Sequence, residues 1–247
     1  MLGCDDPSPV LVTNPGGRSA FLLLGDHAGR LIPAGLDGLG LDAATMELHI
    51  ALDIGISRLG KRLAAMLDAG FIEQTYSRLV IDCNRDPDHA GSIPEISDRV
   101  PIPGNVALAP EAAEARRAEI LRPYHAAIAA ELDRRAAAGQ VVQLVSLHSF
   151  TPVMQGFVRP WRLGVLHRED SALSSRMLAL LTEALGDEAG DNQPYRMDAQ
   201  DYTVPLHADA RGLDYLELEV RQDLLADEAG VEAMAVLIGG LLTRAGS

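Results

Sequence analysis

Basic charge, cysteine and long apolar runs are all scarce in this sequence, and each scarcity excludes a class of protein. With 21 lysines and arginines against 35 aspartates and glutamates, the 247-residue chain carries a formal net charge of −14. Nucleic acids and anionic membrane surfaces bind concentrated positive charge, so we expect neither as a partner. A small anionic substrate remains compatible with this charge, because a few local arginines decide its binding.

Cys4 and Cys83 are too few for a disulfide framework, and they suit a reducing compartment. The apolar runs are far shorter than the roughly 20 residues of a membrane span. The first ten residues hold acids and prolines where a signal peptide has a basic start and an apolar run. We therefore expect a cytoplasmic protein. A homo-oligomer is allowed, and nothing in the sequence fixes the number of subunits.

Short apolar segments alternate with helical patterns along the chain. This alternation predicts one α/β domain over residues 1–247, with a mixed, mostly parallel sheet flanked by helices. Pro123 is expected to break one helix, and Asp170 or Ser171 to cap another. The predicted strands are residues 20–24, 79–81, 164–166, 215–220 and the start of 141–150, and the predicted helices are 43–51, 53–67, 112–138, 171–185 and 232–242.

Four regions lack periodicity and are predicted to be irregular: 1–19, 88–109, 150–161 and 186–214. A long loop inside a compact domain is usually functional. We therefore expect 88–109 and 150–161 to close over a site.

Chemistry-bearing side chains stand where predicted strands end. His148 lies near the end of the stretch 141–150, after its apolar start, and His27 lies in a glycine-rich turn after strand 20–24. In open α/β folds, ligands collect at the carboxyl ends of the strands. In the last strand, period-two alternation places Glu217, Glu219 and Arg221 on one face. Glu219 lies nearer the carboxyl end and is the better candidate for the site, while Glu217 is expected to pair with an arginine.

Two histidines and a carboxylate from distant strand ends are the ligands of a catalytic zinc site, in which a further glutamate acts as general base. Each candidate also has an ordinary structural interpretation. These alternatives are His148 as a hydrogen-bonded core residue, Asp53 as a helix cap, Arg85 as the partner of Asp82 or Asp86, and Glu219 as the partner of Arg221.

Asp82-Cys83-Asn84-Arg85 resembles the D-x-N-R element of the zinc carboxypeptidase and aspartoacylase group. A larger set of blocks, in the same order along the chain, is similar to the N-formylglutamate amidohydrolase family. These blocks are Arg78 to Arg85, His27-Ala28-Gly29, Asp53-Ile54-Gly55, Ser146-Leu147-His148-Ser149-Phe150, Asn192-Gln193-Pro194-Tyr195 and Glu217-Leu218-Glu219-Val220-Arg221-Gln222-Asp223.

The resemblance implies a zinc-exopeptidase-like (phosphorylase/hydrolase-like) α/β fold and one bound zinc ion. It implies hydrolysis of an N-formyl or N-acyl amino acid such as N-formylglutamate, with release of formate and the free amino acid. Position by position, His27 and His148 match the metal histidines. Asn84 and Arg85 match the clamp for the substrate carboxylate, and Glu219 matches the general base.

One position departs from the carboxypeptidase pattern, which has a ligating glutamate three residues after its first histidine. Arg30 stands there in this chain, so the third ligand has to come from elsewhere. Asp53 is our prediction, with Asp82 and Asp26 as alternatives. A zinc deacylase or carboxypeptidase-like hydrolase for another N-acyl amino acid or peptide is the alternative enzyme. Arg30 also leaves open a metal-free relative that binds a small acid.

The remaining histidines and Cys83 have weaker indications. His167 and His207 lie in loops near the predicted site and are candidates for substrate contact. His125 is interpreted as structural, and Cys83 as a core residue with no nucleophilic role.

Overall fold

The computed structural model describes residues 1–168 and 171–246. The strands, in chain order, are β1 (Val10–Thr13), β2 (Phe21–Gly25), β3 (Gly70–Gln74), β4 (Ile96–Ser97), β5 (Val100–Pro101), β6 (Gln143–Phe150), β7 (Val153–Met154), β8 (Phe157–Val158), β9 (Leu163–Leu166), β10 (Ala189–Asp191) and β11 (Asp214–Arg221). The α-helices are α1 (Ile56–Leu67), α2 (Pro110–Arg116), α3 (Arg122–Ala137), α4 (Ala172–Leu185), α5 (Thr203–His207) and α6 (Glu228–Ala245).

A seven-stranded sheet with the order β1-β3-β2-β6-β11-β9-β10 organises the described chain. Strands β3, β2, β6 and β11 are parallel to one another, whereas β1 and β9 are antiparallel to their neighbours β3 and β11. The predicted α/β fold with a mixed, mostly parallel sheet is therefore confirmed. Because the four central strands are parallel, their carboxyl ends meet at one edge of the sheet.

Each face of the sheet carries its own apolar core. Helices α1, α4 and α6 cover one face, where Leu216, Leu218 and Val220 of β11 are buried. Helix α3, helix α5 and the buried irregular segment 76–83 cover the other face. One face of β11 is therefore apolar and the other carries Glu217 and Glu219, as the alternation predicted. These glutamates lie toward the carboxyl end of the strand. Within the described residues, no helix combines the length and apolar composition needed to cross a membrane.

The predicted strand 79–81 is wrong. Leu79 and Val80 lie in a buried turn that follows β3. The carbonyls of this turn accept hydrogen bonds from side chains and not from a neighbouring strand. The Asn105 side chain donates to the Leu79 carbonyl at 2.9 Å, and Arg116 donates to the Val80 carbonyl at 2.9 Å. An apolar run of three residues indicates burial but does not decide backbone conformation.

Several short elements are not indicated by the sequence. Strand β3 is fully buried, but it contains the polar residues Glu73 and Gln74, so the sequence does not indicate a buried strand there. Strand β1 lies in the predicted lead-in 1–19, and β10 and helix α5 lie in the predicted irregular region 186–214. These elements have three to five residues, too few for a periodic signal.

Two of the helix predictions need correction. The predicted helix 43–51 is wrong, because only a 3₁₀ turn at Thr45–Glu47 forms there and the chain then turns to bury Ile50. The predicted break near Pro123 takes the form of a single π turn, Arg117–Leu121, between α2 and α3. Proline has no N–H to donate, so a local change of helical hydrogen bonding is expected there. Ser171 caps α4 by accepting from the Ser174 N–H, and Asp170 lies outside the described residues.

Candidate functional site

A cavity of about 490 Å³ opens at the carboxyl edge of the central strands. Parallel strands bring side chains from distant parts of the chain to this edge, as open α/β folds generally do. The loops 88–109 and 150–161 supply part of its wall, as expected, through the β4–β5 and β7–β8 hairpins. All six predicted site residues line the cavity: His27, Asp53, Asn84, Arg85, His148 and Glu219.

His27, Asp53 and His148 form a buried cluster in which one potential ligand atom of each residue lies within 4.8 Å of the others. His27 follows β2, and the Asp53 N–H donates to its carbonyl at 2.9 Å, which ties the start of the α1 region to this turn. His148 lies within β6. One carboxylate oxygen of Asp53, Oδ2, is 3.5 Å from His27 Nδ1 and 3.0 Å from His148 Nδ1. The same carboxylate therefore faces both imidazoles.

The other nitrogen of each imidazole faces a different carboxylate. His27 Nε2 lies 2.6 Å from Asp82 Oδ1. His148 Nε2 lies 3.0 Å from Ser146 Oγ and 3.4 Å from Asp26 Oδ2. Metal-binding histidines commonly direct their second nitrogen at a carboxylate, which fixes ring orientation and tautomer. This geometry favours Asp53 as the third ligand, with Asp82 and Asp26 as orienting groups behind the rings.

Asp53 does not cap helix α1, since no side chain caps that helix. Its Oδ2 also accepts from the Ser149 N–H at 3.2 Å. Arg78, for which no role was predicted, donates to Asp82 at 2.7 Å and to Asp53 Oδ1 at 3.3 Å. Burial alone would raise the pKa of Asp53, but His27, His148 and Arg78 outweigh it and hold that pKa well below its usual range.

The described residues leave the cluster short of hydrogen-bond donors and of positive charge. Two acids of β11, Glu217 and Glu219, are buried in the cavity wall, and each has a carboxylate oxygen without a hydrogen-bond partner. His27 Nδ1 is also buried without one. Unpaired buried charge is costly unless it is compensated by a counter-ion or a metal. A divalent cation bound by His27, Asp53 and His148 fits this donor set.

Burial raises the pKa of Glu219 to about 7, and Asp53 adds to the effect. Burial likewise raises the pKa of Glu217 to about 8. Glu217 does not pair with an arginine as predicted; its ion-pair contact in the described chain is His148 Nε2, at 4.0 Å. Arg221 pairs with Asp223 at 2.8 Å. The alternative in which Glu219 is its structural partner is therefore not supported.

Asn84 and Arg85, which we call the clamp, line the same cavity as the cluster. Asn84 Oδ1 accepts from the backbone N–H groups of Tyr202 and Thr203, at 3.2 and 2.9 Å. Arg85 donates to Gln200, and its Nε is 3.7 Å from Asp82 Oδ2. The alternative in which Arg85 pairs with Asp82 is thus present as a 3.7 Å contact, and the guanidinium also lines the cavity.

The sequence model of the N-formylglutamate amidohydrolase family matches residues 19–226. That is most of the chain, and it spans every residue of the cluster, the clamp and Glu219. The chain belongs to this family. Members of the family are hydrolases, and the cavity described above is the candidate active site of this one.

Two solved structures are similar to the chain over nearly its whole length. The gene product Atu2144 from Agrobacterium tumefaciens is 34% identical, with a TM-score of 0.95 over 99% of this chain and 97% of that one. An N-formylglutamate amidohydrolase from Ralstonia eutropha JMP134 is 18% identical, with a TM-score of 0.75 over 96% of this chain and 97% of that one. The second likeness is one of fold alone. No curated protein matches the chain.

Some residues of this family member lie elsewhere than expected. His167 pairs with Asp191 at 2.8 Å, and His207 pairs with His125 at 3.0 Å; neither lines the cavity. Arg30 is exposed and pairs with Glu47, away from the cavity.

Besides Arg78, the cavity residues His49 and Tyr195 had no role predicted from the sequence. His49 lines the cavity and lies 3.3 Å from Asp98 at the tip of the β4–β5 hairpin. Tyr195 forms another part of the wall, with the Arg159 guanidinium 4.7 Å from its ring centroid. Tyr195 belongs to a block that resembles the family, and that was the signal available for it.

Proposed function

We propose that this protein is a metal-dependent amidohydrolase that cleaves the amide bond of an N-formyl or N-acyl amino acid, N-formylglutamate among them. The observation that carries the proposal is the position of Glu219, a buried carboxylate with an unpartnered oxygen in the same cavity as the His27–Asp53–His148 cluster. Membership of the amidohydrolase family supports the reaction class.

His27, Asp53 and His148 would hold the metal, for which zinc suits two imidazoles and one carboxylate. Such an ion supplies a Lewis-acid charge that polarises the scissile carbonyl and acidifies water. Asp82 accepts from His27 Nε2, and Ser146 Oγ accepts from His148 Nε2 while it donates to Asp26. These contacts would keep the Nδ1 atom of each ring directed toward Asp53.

Glu219 would act as the general base. With a pKa of about 7, its carboxylate can take a proton near neutral pH and release it again. It would accept a proton from the water whose oxygen attacks the acyl carbon. The C–N bond then breaks, and the same proton passes to the leaving nitrogen. The products are formate, or another carboxylate, and the free amino acid.

The clamp would orient the substrate through its α-carboxylate. Because Asn84 Oδ1 already accepts two backbone N–H groups, the amide Nδ2 is the part of this side chain left to donate to a ligand. Arg85 contributes a planar guanidinium, which can bind a carboxylate through two parallel hydrogen bonds. A local pair of donors of this kind allows an acidic protein to bind an anion.

A metal-free binding protein is the less supported function. Arg30 was the feature that favoured it, and this side chain is exposed and paired with Glu47 outside the cavity. The carboxylate missing at position 30 has a replacement in Asp53, which faces both imidazoles.

Metal analysis and a substrate screen test the proposal together. Protein purified without added zinc should contain one divalent metal per chain, and His148→Ala should lose it. His167→Ala is the matched control, since that histidine lies outside the cavity and its replacement should leave the metal in place. Formylated, acetylated and longer-chain N-acyl amino acids should be hydrolysed by the wild type, and a chelator should stop the reaction. A folded protein that contains no metal and hydrolyses none of them would refute the proposal.

A further inference from the structure

A pair of buried histidines lies directly behind the clamp and takes no part in the proposed chemistry. His125 of α3 directs Nε2 at the Cys83 carbonyl, at 2.9 Å, and directs Nδ1 at His207 Nε2 of α5, at 3.0 Å. Both side chains are at least nine-tenths buried. Cys83 immediately precedes the clamp residues Asn84 and Arg85.

The direction of these hydrogen bonds follows from their chemistry. A carbonyl oxygen can only accept, so His125 Nε2 carries a proton and donates to Cys83. His125 Nδ1 is then an acceptor in the neutral ring, and His207 Nε2 is its donor. Burial lowers the pKa of His125 and lowers that of His207 to about 3, which keeps both rings neutral near pH 7. The two histidines therefore form a chain of hydrogen bonds, in which His207 donates to His125 and His125 donates to the Cys83 carbonyl. We call this chain the relay.

Helix α5 therefore holds the clamp by two routes. At its start, the backbone N–H of Thr203 donates to Asn84 Oδ1 at 2.9 Å. At its end, His207 acts through His125 on the Cys83 carbonyl. The two routes reach consecutive residues of the clamp turn, so they fix both its main chain and the Asn84 side chain.

Packing alone does not account for the two histidines. Their neighbours on α3, Tyr124 and Ile128, are completely buried, and an apolar pair would fill such a place without unsatisfied polar atoms. In contrast, His207 Nδ1 is buried without a hydrogen-bond partner in the described chain. A buried polar pair with one atom left unsatisfied is costly, and here it provides a directional contact to the clamp turn.

We infer that His125 and His207 are positioning residues, which hold the Cys83 carbonyl and thereby orient Asn84 and Arg85 toward the carboxylate of the substrate. This inference rests on the proposed function for the identity of the ligand. The geometry of the relay is independent of it.

The test compares His125→Phe, which keeps a ring but no hydrogen bond, with His125→Gln, which can still donate to Cys83 and accept from His207. The control is Ile128→Val, a buried change one turn along α3 that does not touch the clamp. Each variant is assayed on an N-formyl amino acid and on the same compound with its carboxylate converted to a carboxamide.

For His125→Phe, KM for the acid is expected to rise about tenfold with kcat within about twofold, because a displaced clamp weakens binding before it affects the reacting atoms. KM for the carboxamide should not change, and His125→Gln should restore KM for the acid. Ile128→Val should lower Tm without changing the ratio of the two KM values. Equal KM changes for both compounds, or the same change in Ile128→Val, would overturn the inference.

Hydrogen exchange separates this inference from the proposed function. In His125→Phe, the amides of Thr203 and Asn84 should exchange about tenfold faster than in Ile128→Val. If the wild type hydrolyses no N-acyl amino acid, the proposed function fails and this comparison alone decides the positioning role. Unchanged exchange at both amides would then refute that role as well.

Discussion

Replacing Glu219 by glutamine is expected to remove most activity and, at the same time, to stabilise the metal-free protein. The Glu219 carboxylate is buried, and one of its oxygens has no hydrogen-bond partner in the described chain. Glutamine has nearly the same shape but carries no charge to bury. As a general base, Glu219 should contribute about 10²- to 10⁴-fold to kcat, and Glu219→Gln should lose that factor while retaining the metal.

The size and pH dependence of the stability effect follow from the pKa of this group. An ordinary glutamate has a pKa of 4.5, and burial raises that of Glu219 to about 7. Below pH 4.5 Glu219 is protonated in both the folded and the unfolded wild type, so wild type and Glu219→Gln should be equally stable. Between pH 4.5 and 7 the unfolded chain releases a proton that the folded chain keeps, so the wild type loses stability as pH rises. Above pH 7 the full difference, about 3 kcal/mol, should favour Glu219→Gln.

Urea unfolding in the presence of a chelator, from pH 5 to pH 8.5, measures this difference. The matched control is Glu73→Gln, because Glu73 is equally buried but pairs with Lys61 at 2.7 Å. Glu73→Gln should lower the free energy of unfolding at pH 8, whereas Glu219→Gln should raise it. A free-energy difference between Glu219→Gln and wild type that does not grow with pH would refute the raised pKa. Near-normal kcat in Glu219→Gln would refute its role as the base.

Two further substitutions test the clamp and the close packing at β9. Arg85→Ala should raise KM for an N-acyl amino acid by roughly 100-fold and change kcat little, which steady-state kinetics would show; an unchanged KM would contradict the clamp. Gly164→Ala should destabilise the protein by about 3 kcal/mol or more in thermal unfolding, because a Cβ there would lie 1.8 Å from the Gln193 carbonyl oxygen. Gly240→Ala in α6, where a Cβ meets open space, is its control and should leave Tm unchanged or raise it.

The parts of the fold that could be predicted from the sequence are those with a strong local pattern. Strands β2, β6 and β11 are apolar or strictly alternating, and α1 repeats leucines at helical spacing. Strand β3 could not be predicted, because its buried residue Glu73 is polar and is compensated by Lys61, a residue of α1. The same dependence on distant partners explains segment 79–81, whose carbonyls are satisfied by Asn105 and Arg116.

For the site, the sequence indicated which residues come together but could not assign roles among the aspartates. Asp26, Asp53 and Asp82 all follow or precede candidate elements, and spacing does not distinguish them. Their difference is tertiary: Asp53 faces the Nδ1 atoms of both imidazoles, and the other two face the Nε2 atoms. Arg78 was missed for a similar reason, since its importance comes from bridging Asp53 and Asp82.

The excess of carboxylates in the cavity is itself an argument for the division of roles proposed above. A chain that only had to be stable would not bury Glu217 and Glu219 on the same strand face when, among the described residues, the ion-pair contact of either is limited to His148, 4.0 Å from Glu217. Each buried carboxylate costs free energy when it is ionised. Arg78 compensates Asp53 and Asp82 directly, yet it does not reach the β11 acids within ion-pair distance. The charge left over lies where the cluster would hold a cation and where the general base has to stand. The side chain proposed as the general base is therefore one whose ionised form is disfavoured by burial.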